Sequence, residues 1–192
     1  MIDWIVLNWL ELVGFVSALI YLFFSVKQHV WVWPWGIITS AAYVFFYLES
    51  RLYAIGLLNV YYVAVSFYGW YNWRKGNPES EGDLPVTRVR AKDWLAYLLV
   101  GFLLTLGMYV VLSRYTDSPV PLADSFITAL SILATWMLTK KKLENWLLWL
   151  VADSFAVAIY FEQKLFLTAI LFVIYSAMTL VGYRAWRKTM RV

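Results

Sequence analysis

The chain of 192 residues contains no cysteine and a single histidine, and only 15% of its residues are charged. Without cysteine there is no disulfide, no thiol nucleophile and no thiolate metal site. The one histidine, His29, lies beside Lys27 in a short stretch between hydrophobic runs, so a serine hydrolase working inside a bilayer would lack its base. An aspartyl pair could be drawn only from Asp124 and Asp153, and no motif surrounds them. No glycine-rich phosphate loop or Walker-type motif is present, which removes ATP as a direct driver. The inventory therefore predicts no enzyme, no cofactor and no metal ion. A cleaved leader is not expected either, because Asp3 and Glu11 stand where a basic n-region would be.

What the chain has is apolar surface: 62% of its residues are hydrophobic and 20% aromatic. A water-soluble core of this size cannot hide that much, so the expected partner is the lipid bilayer. A spanning helix needs about 20 mostly apolar residues, and seven such runs are present, at 9–25, 33–48, 52–73, 94–112, 122–139, 146–161 and 165–186. The net charge of +4 could suggest nucleic acid, but the basic residues sit in short connections and near the C-terminus. Seven passes put 13 of the 16 Lys and Arg residues on one side and leave Arg51, Arg114 and Lys164 on the other. The positive-inside rule then predicts an outside N-terminus and a cytoplasmic C-terminus, with no nucleic-acid partner.

The segment from Trp33 to Lys75 returns 113 positions later as Trp146 to Lys188. Trp33 meets Trp146, Tyr47 meets Tyr160, Glu49 meets Glu162, Leu52 meets Leu165, Tyr62 meets Tyr175, and Gly69 meets Gly182. Trp73-Arg74-Lys75 meets Trp186-Arg187-Lys188, while Arg51 against Lys164 and Tyr53 against Phe166 are conservative partners. One ungapped offset through two helices and their connection predicts an internal repeat. Four passes separate the two starts, so both units enter the membrane from the same side. The predicted fold is an all-α integral membrane protein of seven transmembrane helices in a 3+1+3 parallel internal repeat, the arrangement of the sugar transporters called SWEETs. The corresponding divisions are a first three-helix repeat at 1–75, a solvated cytoplasmic linker at 76–93, a linking helix at 94–113 and a second repeat at 114–192. Gly76, Asn77-Pro78, Gly82 and Pro85, with mixed charge between them, give the linker its turn-rich character.

In the sixth run, helical spacing puts Trp146, Trp149 and Asp153 on one face, continued by Tyr160. An ionisable group this deep costs about 2.5 to 3.5 kcal/mol even on the lenient insertion scale, so it usually faces a cavity or a partner. Asp153 could equally hold a neighbouring helix by a hydrogen bond, and Trp146, at the helix end, could belong to an interfacial belt. Aromatic faces beside a carboxylate would suit a planar, positively charged heterocycle. The matching face of the first unit runs Trp33, Gly36, Ser40, Tyr43 and Tyr47, with Thr39 adjacent, and Pro34 fits a first helical turn. The third run offers Asn59, Tyr62, Ser66 and Gly69, and the seventh Tyr175, Thr179 and Gly182. The small and hydroxyl residues among these are read as helix packing, and Asn59 as a ligand candidate. Asp124-Ser125 could cap the fifth helix.

Trp33-Pro34-Trp35-Gly36-Ile37-Ile38, Leu52-Tyr53-Ala54, Tyr68-Gly69-Trp70-Tyr71-Asn72-Trp73, Asp124-Ser125 and Glu144-Asn145-Trp146-Leu147-Leu148-Trp149 together resemble the PnuC-type vitamin transporters across nearly the whole chain. The resemblance implies a SWEET-like fold and a homotrimer in a bacterial inner membrane. It implies uptake of nicotinamide riboside, or of thiamine or riboflavin in relatives, by facilitated diffusion with trapping by a cytoplasmic kinase. Trp146 and Trp149 look like the family's aromatic substrate contacts, and Asn59 stands where relatives often have glutamine. Asp153 and Thr39 depart from the pattern, since both replace asparagines. The expected substrate is a cationic aromatic vitamin, nicotinamide riboside first and thiamine second. It would be held by Trp146, Trp149, Asp153, Asn59, Tyr43 and Tyr62, with Thr39 and Ser40 beside them, while one three-helix unit rocks against the other. The reading from another class is a membrane scaffold that transports nothing.

Overall fold

All seven hydrophobic runs are helical in the computed structural model, which describes residues 2–49, 53–76, 84–164 and 166–190. The helices are α1 (Ile2–Val26), α2 (Val32–Glu49), α3 (Tyr53–Lys75), α4 (Ala91–Tyr115), α5 (Pro121–Thr139), α6 (Asn145–Glu162) and α7 (Phe166–Thr189). Arg51, Leu52, Leu165, Arg191 and the middle of the linker at 77–83 lie outside the described residues, as do the side chains of Tyr47, Glu49 and Tyr53. Pro34 falls in the first turn of α2, where its missing N–H removes no helical bond. Among the described residues α4, α5 and the Ala169–Thr189 part of α7 are long and apolar enough to cross a membrane. The described parts of α1 and α2, Val16–Val26 and Val32–Phe45, are shorter apolar helices.

The chain divides into two compact units, Met1–Pro85 and Val86–Val192. In the first, α2 packs against both α1 and α3; in the second, α4 packs on α5, α5 on α6 and α6 on α7. Of these, α4 lies in the second unit. It buries none of its residues, and Leu95, Leu98, Phe102 and Leu106 stand exposed, as a helix surrounded by hydrocarbon would.

The same turn ends α1 and α5. Gln28 donates its N–H to Ser25 O at 3.1 Å and His29 to Phe24 O at 3.0 Å; Lys141 donates to Leu138 O at 3.0 Å and Lys142 to Met137 O at 3.0 Å. Each pair satisfies the last carbonyls of its helix, and the residue in the left-handed region is Gln28 (φ 56°) in one turn and Lys141 (φ 45°) in the other. The chain then re-enters a helix in the same way, through Val32 N–H to His29 O at 3.0 Å and Asn145 N–H to Lys142 O at 3.2 Å. All these bonds correspond at the 113-residue offset, so the local match reaches beyond Trp33 toward the N-terminus.

A second recurring contact holds the helices of each unit together. A methyl group on Gly69 would lie 2.4 Å from the Trp33 ring, and one on Gly182 would lie 2.4 Å from the Trp146 ring. Only hydrogen fits beneath either indole. Each ring also makes a T-shaped contact with a second tryptophan, Trp33 with Trp73 at 5.3 Å and 88°, Trp146 with Trp186 at 5.5 Å and 85°.

The linker is less solvated than its composition suggests. Past the undescribed part, Val86 and Val89 are buried, and Thr87 pairs with the α5–α6 turn by donating its N–H to Lys141 O at 3.0 Å and accepting from Leu143 at 2.9 Å. The Glu144 carboxylate accepts the Val89 N–H at 2.9 Å, and Lys142 Nζ donates to Thr87 Oγ1 at 2.9 Å. Arg90 then pairs with Asp93 at 2.7 Å and, through that hydrogen bond, holds its carboxyl below the usual carboxylate range. These bonds tie residues 86–90 to the turn that launches α6.

Two stability outcomes follow, both measured by thermal unfolding in detergent. Gly182→Ala is expected to cost about 1 to 3 kcal/mol by overpacking; a loss below about 0.5 kcal/mol would mean that the Trp146 ring is free to move aside. Glu144→Ala should cost about 1 to 3 kcal/mol, because the buried Val89 N–H loses its acceptor, whereas Glu144→Gln, which keeps an acceptor oxygen, should cost less.

Candidate functional site

The turn that closes α5 aims the first residues of α6 into the second unit. Trp146, the first aromatic of the expected stacking pair, is 2% exposed and enclosed between Gly182 and Trp186. It is packed as scaffold, as Trp33 is in the first unit, and presents no open face to a ligand. Trp149, one turn further along α6, is only half-buried.

One more turn along α6, Asp153 is 6% exposed. The Thr179 hydroxyl lies 3.4 Å from Asp153 Oδ2 but only 2.9 Å from Tyr175 O. A hydroxyl has one proton to donate, and the shorter bond takes it. The carboxyl is thus buried and poorly satisfied, which is uncommon unless a partner or function compensates. Tyr160, which continues this stripe, stacks on Phe172 at 5.3 Å, and Phe172 meets the Tyr175 ring edge-on at 5.7 Å. Asp124, the other acidic candidate, accepts a hydrogen bond from the Ser118 hydroxyl, and Ser125 bonds back to Pro121 O. Val120 holds the N-cap position without a side-chain bond, so Asp124 and Ser125 settle the first turn of α5 without capping it.

The remaining predicted residues gather in the first unit. Ser40 and Asn59 are buried on α2 and α3, and Thr39, Tyr43 and Tyr62 are half-buried. Thr39 Oγ1 lies 2.8 Å from the hydroxyl of Ser17 on α1 and 2.8 Å from Trp35 O. Ser17 was not visible as a candidate, because a lone serine in an apolar run carries no signal. Tyr43 lies across Gly14, and Tyr21 across Gly36, where a methyl group would meet the rings at 2.7 and 3.1 Å.

Comparing counterparts at the 113-residue offset shows how the units differ. Gly14 and Tyr43 correspond to Ile127 and Ala156, so small and large exchange places. Tyr21 and Gly36 correspond to Ala134 and Trp149, the same exchange in the other order. The hydroxyl pair Ser17 and Thr39 corresponds to Leu130 and Ala152, and Ser40 to Asp153. The first unit therefore presents hydroxyls and an amide, and the second an indole and a carboxyl. Among the described residues no group of three His, Cys, Asp or Glu side chains could hold a metal ion. A cavity of about 650 Å³ in the second unit is lined by Thr105, Tyr109, Leu122, Phe126 and Phe155, away from the predicted residues.

The sequence model of the family described as nicotinamide mononucleotide transporter matches residues 8–188. The chain belongs to this family. Among curated members, the nicotinamide riboside transporter PnuC of Escherichia coli is 27% identical over 209 residues, covering 96% of this chain and 87% of the relative. The riboflavin/roseoflavin transporter RibM of Streptomyces davaonensis is 26% identical over 180 residues, covering 93% and 84%. A crystal structure of the vitamin B3 transporter PnuC superposes with a TM-score of 0.73 at 23% identity, covering 95% of this chain and 82% of that one, which shows a shared fold. The family's description and both of these relatives' names are those of transporters.

A double-mutant cycle of Asp153→Asn and Thr179→Val, read by thermal unfolding, is expected to give a coupling below about 0.5 kcal/mol, since the hydroxyl proton is committed to Tyr175 O. A coupling of about 1.5 kcal/mol or more, the range of a hydrogen bond to a charged group, would show instead that Thr179 satisfies the carboxyl.

Proposed function

We propose that this chain is a bacterial inner-membrane transporter of a cationic aromatic vitamin, nicotinamide riboside first. The observation that carries the proposal is the buried, poorly satisfied Asp153 carboxyl one helical turn from half-buried Trp149, in a chain of this family. Trp149 stacks on the heterocycle, Asp153 complements its fixed positive charge, and Asn59, Tyr43 and Tyr62 bond its hydroxyls, with Thr39 and Ser40 beside them. An opposite charge in a low-dielectric setting and an aromatic face both favour a desolvated ring cation, the latter by about 0.5 to 2 kcal/mol. Trp146 supports α6 rather than touching substrate.

The wider reading has seven spans in a SWEET-like 3+1+3 parallel repeat, divided at 1–75, 76–93, 94–113 and 114–192. It has the N-terminus outside, the C-terminus cytoplasmic and three copies assembled as a homotrimer. Its support is the repeated turn at the ends of α1 and α5, the repeated tryptophan-on-glycine contact and the 13-to-3 division of basic residues. Transport is facilitated diffusion, and phosphorylation by a cytoplasmic kinase retains the vitamin.

Uptake of radiolabelled nicotinamide riboside, thiamine and riboflavin into vesicles, with and without a proton gradient, tests this reading. Nicotinamide riboside is expected to enter saturably without the gradient, thiamine more weakly, and neutral riboflavin least. Trp149→Ala and Asp153→Asn should each weaken binding about tenfold or more, because about 1.4 kcal/mol of lost contact is a factor of ten, and Asp153→Asn should raise the unfolding temperature of the unliganded protein by removing a buried charge. Trp146→Ala should instead lower stability by about 3 to 5 kcal/mol. A strict gradient requirement overturns facilitated diffusion, preference for thiamine or riboflavin overturns the substrate, and no saturable uptake of any vitamin leaves the scaffold reading.

A further inference from the structure

Three helices end on the same arrangement, a lysine placed over an aromatic ring one turn earlier. Lys27 Nζ lies 6.0 Å from the centre of the Phe23 ring, Lys75 Nζ 5.9 Å from Tyr71 and Lys140 Nζ 4.7 Å from Trp136. Each sits at or just past a helix C-terminus, where the macrodipole favours a cation. A lysine that lays its stem along an aromatic ring and lifts its ammonium outward is suited to the boundary between hydrocarbon and headgroups.

At the end of α3 this arrangement is joined by a shallow, open recess. Phe67, Trp70, Tyr71, Arg74 and Lys75 line a recess of about 510 Å³ on one stripe of the helix. Phe67, Tyr71, Arg74 and Lys75 are exposed and Trp70 is half-buried, so the stripe runs from a bare phenyl ring through two amphipathic aromatics to two cations. The seven helical steps from Phe67 to Arg74 cover about 10 Å, the distance from upper acyl chain to phosphate. Among the described residues neither Arg74 nor Lys75 is in an ion pair; Arg90 and Asp93 form one elsewhere.

We infer that the Phe67-to-Lys75 stripe of α3 is a binding site for an anionic phospholipid, with an acyl chain along Phe67 and the phosphate between Arg74 and Lys75. A guanidinium meets a phosphate with two parallel hydrogen bonds, and the neighbouring ammonium adds a point charge. Trp70 and Tyr71 lie at the level of the glycerol esters, where an N–H and an O–H find acceptors. The charge order selects an anionic lipid over a zwitterionic one, whose choline or ethanolamine would bring a third cation to the site. This inference rests on the bilayer placement proposed above, and its test does not depend on which vitamin is carried.

The test places the photoreactive residue p-benzoylphenylalanine at position 67 of the full chain, in nanodiscs of equal phosphatidylglycerol and phosphatidylcholine. Mass spectrometry of the crosslinked peptide identifies the lipid. Phosphatidylglycerol adducts are expected to exceed phosphatidylcholine adducts about threefold or more. Arg74→Gln with Lys75→Gln should bring the ratio to about one, Arg114→Gln should leave it unchanged, and about 1 M salt should lower it in the parent. The salt series needs no charge-removing variant, so it answers even where the double variant folds poorly. A parent ratio near one, an unchanged ratio in the double variant or in salt, or a crosslink to a second copy of the chain overturns the inference. Loss of the preference on adding free glycerol phosphate also overturns it, by assigning the cations to a soluble anion. Vitamin binding by the double variant is expected to be unchanged, so failure of this site and failure of the transport reading are seen separately.

Discussion

An indole laid on the bare backbone of a glycine fixes the spacing of the helices in each unit. Trp33 on Gly69 and Trp146 on Gly182 bring α2 against α3 and α6 against α7 at a distance that even one methyl group would forbid. In hydrocarbon, helices gain little from burying apolar surface, since lipid tails are as apolar as leucine. Close van der Waals contact takes that role, and a small residue under a large flat one maximises it. Both indole N–H groups are buried without a partner, a cost accepted twice at corresponding positions. The ring's place is set by shape alone, and Trp73 and Trp186 pack against it in T-shaped contacts. Everything proposed for function hangs from these seats: Trp149 and Asp153 lie one and two turns beyond Trp146 on the same helix, and Ser40 and Tyr43 lie beyond Trp33 on α2.

With the helix spacing fixed, side-chain chemistry is free to diverge. Gly14 with Tyr43 against Ile127 with Ala156 keeps the summed volume about constant while moving the bulk from one helix to the other, the kind of exchange a packed interior tolerates best. Tyr21 with Gly36 against Ala134 with Trp149 moves an aromatic ring from the first helix of a unit to its second. That exchange puts an indole on the stripe that also carries Asp153. The bonded Ser17 and Thr39 hydroxyls give way to Leu130 and Ala152, so the second unit loses local polarity where the first keeps it. The backbone turn stays the same bond for bond while the lining changes from hydroxyl to aromatic and acid.

These exchanges also explain what the sequence could and could not reveal. The repeat was legible from Trp33 onward because the seats demand Trp and Gly, and such residues cannot drift. It was illegible between α1 and α5: none of residues 13–26 is identical to its counterpart, since compensating exchanges erase identity while preserving shape. Trp146 and Trp149 looked alike in sequence, three residues apart on one helix, and only burial separates a ring locked on glycine from one left half-open. The linker misled for a related reason. Charge and turn residues dominate its composition, yet Val86 and Val89, with one threonine's backbone, suffice to bind it to the α5–α6 turn. Periodicity cannot detect two buried valines in an irregular segment.

The change from Ser40 to Asp153 is unlike the others. Its neighbouring correspondence, Ser66 to Thr179, also adds atoms, so no shrinking partner offsets it as Ala156 offsets Ile127. The larger hydroxyl brings only a 3.4 Å contact to the carboxyl, beside its 2.9 Å bond to Tyr175 O. A steric rationale is therefore missing, and so is a hydrogen-bonding one. A carboxyl held in that condition within a span costs about 2.5 to 3.5 kcal/mol or more, and nothing in the second unit's own packing returns it. A cation that arrives and leaves would return it only while bound. That intermittent stabilisation is what a carrier of a charged ring requires, since a carboxylate permanently paired with an arginine would have no affinity left to offer.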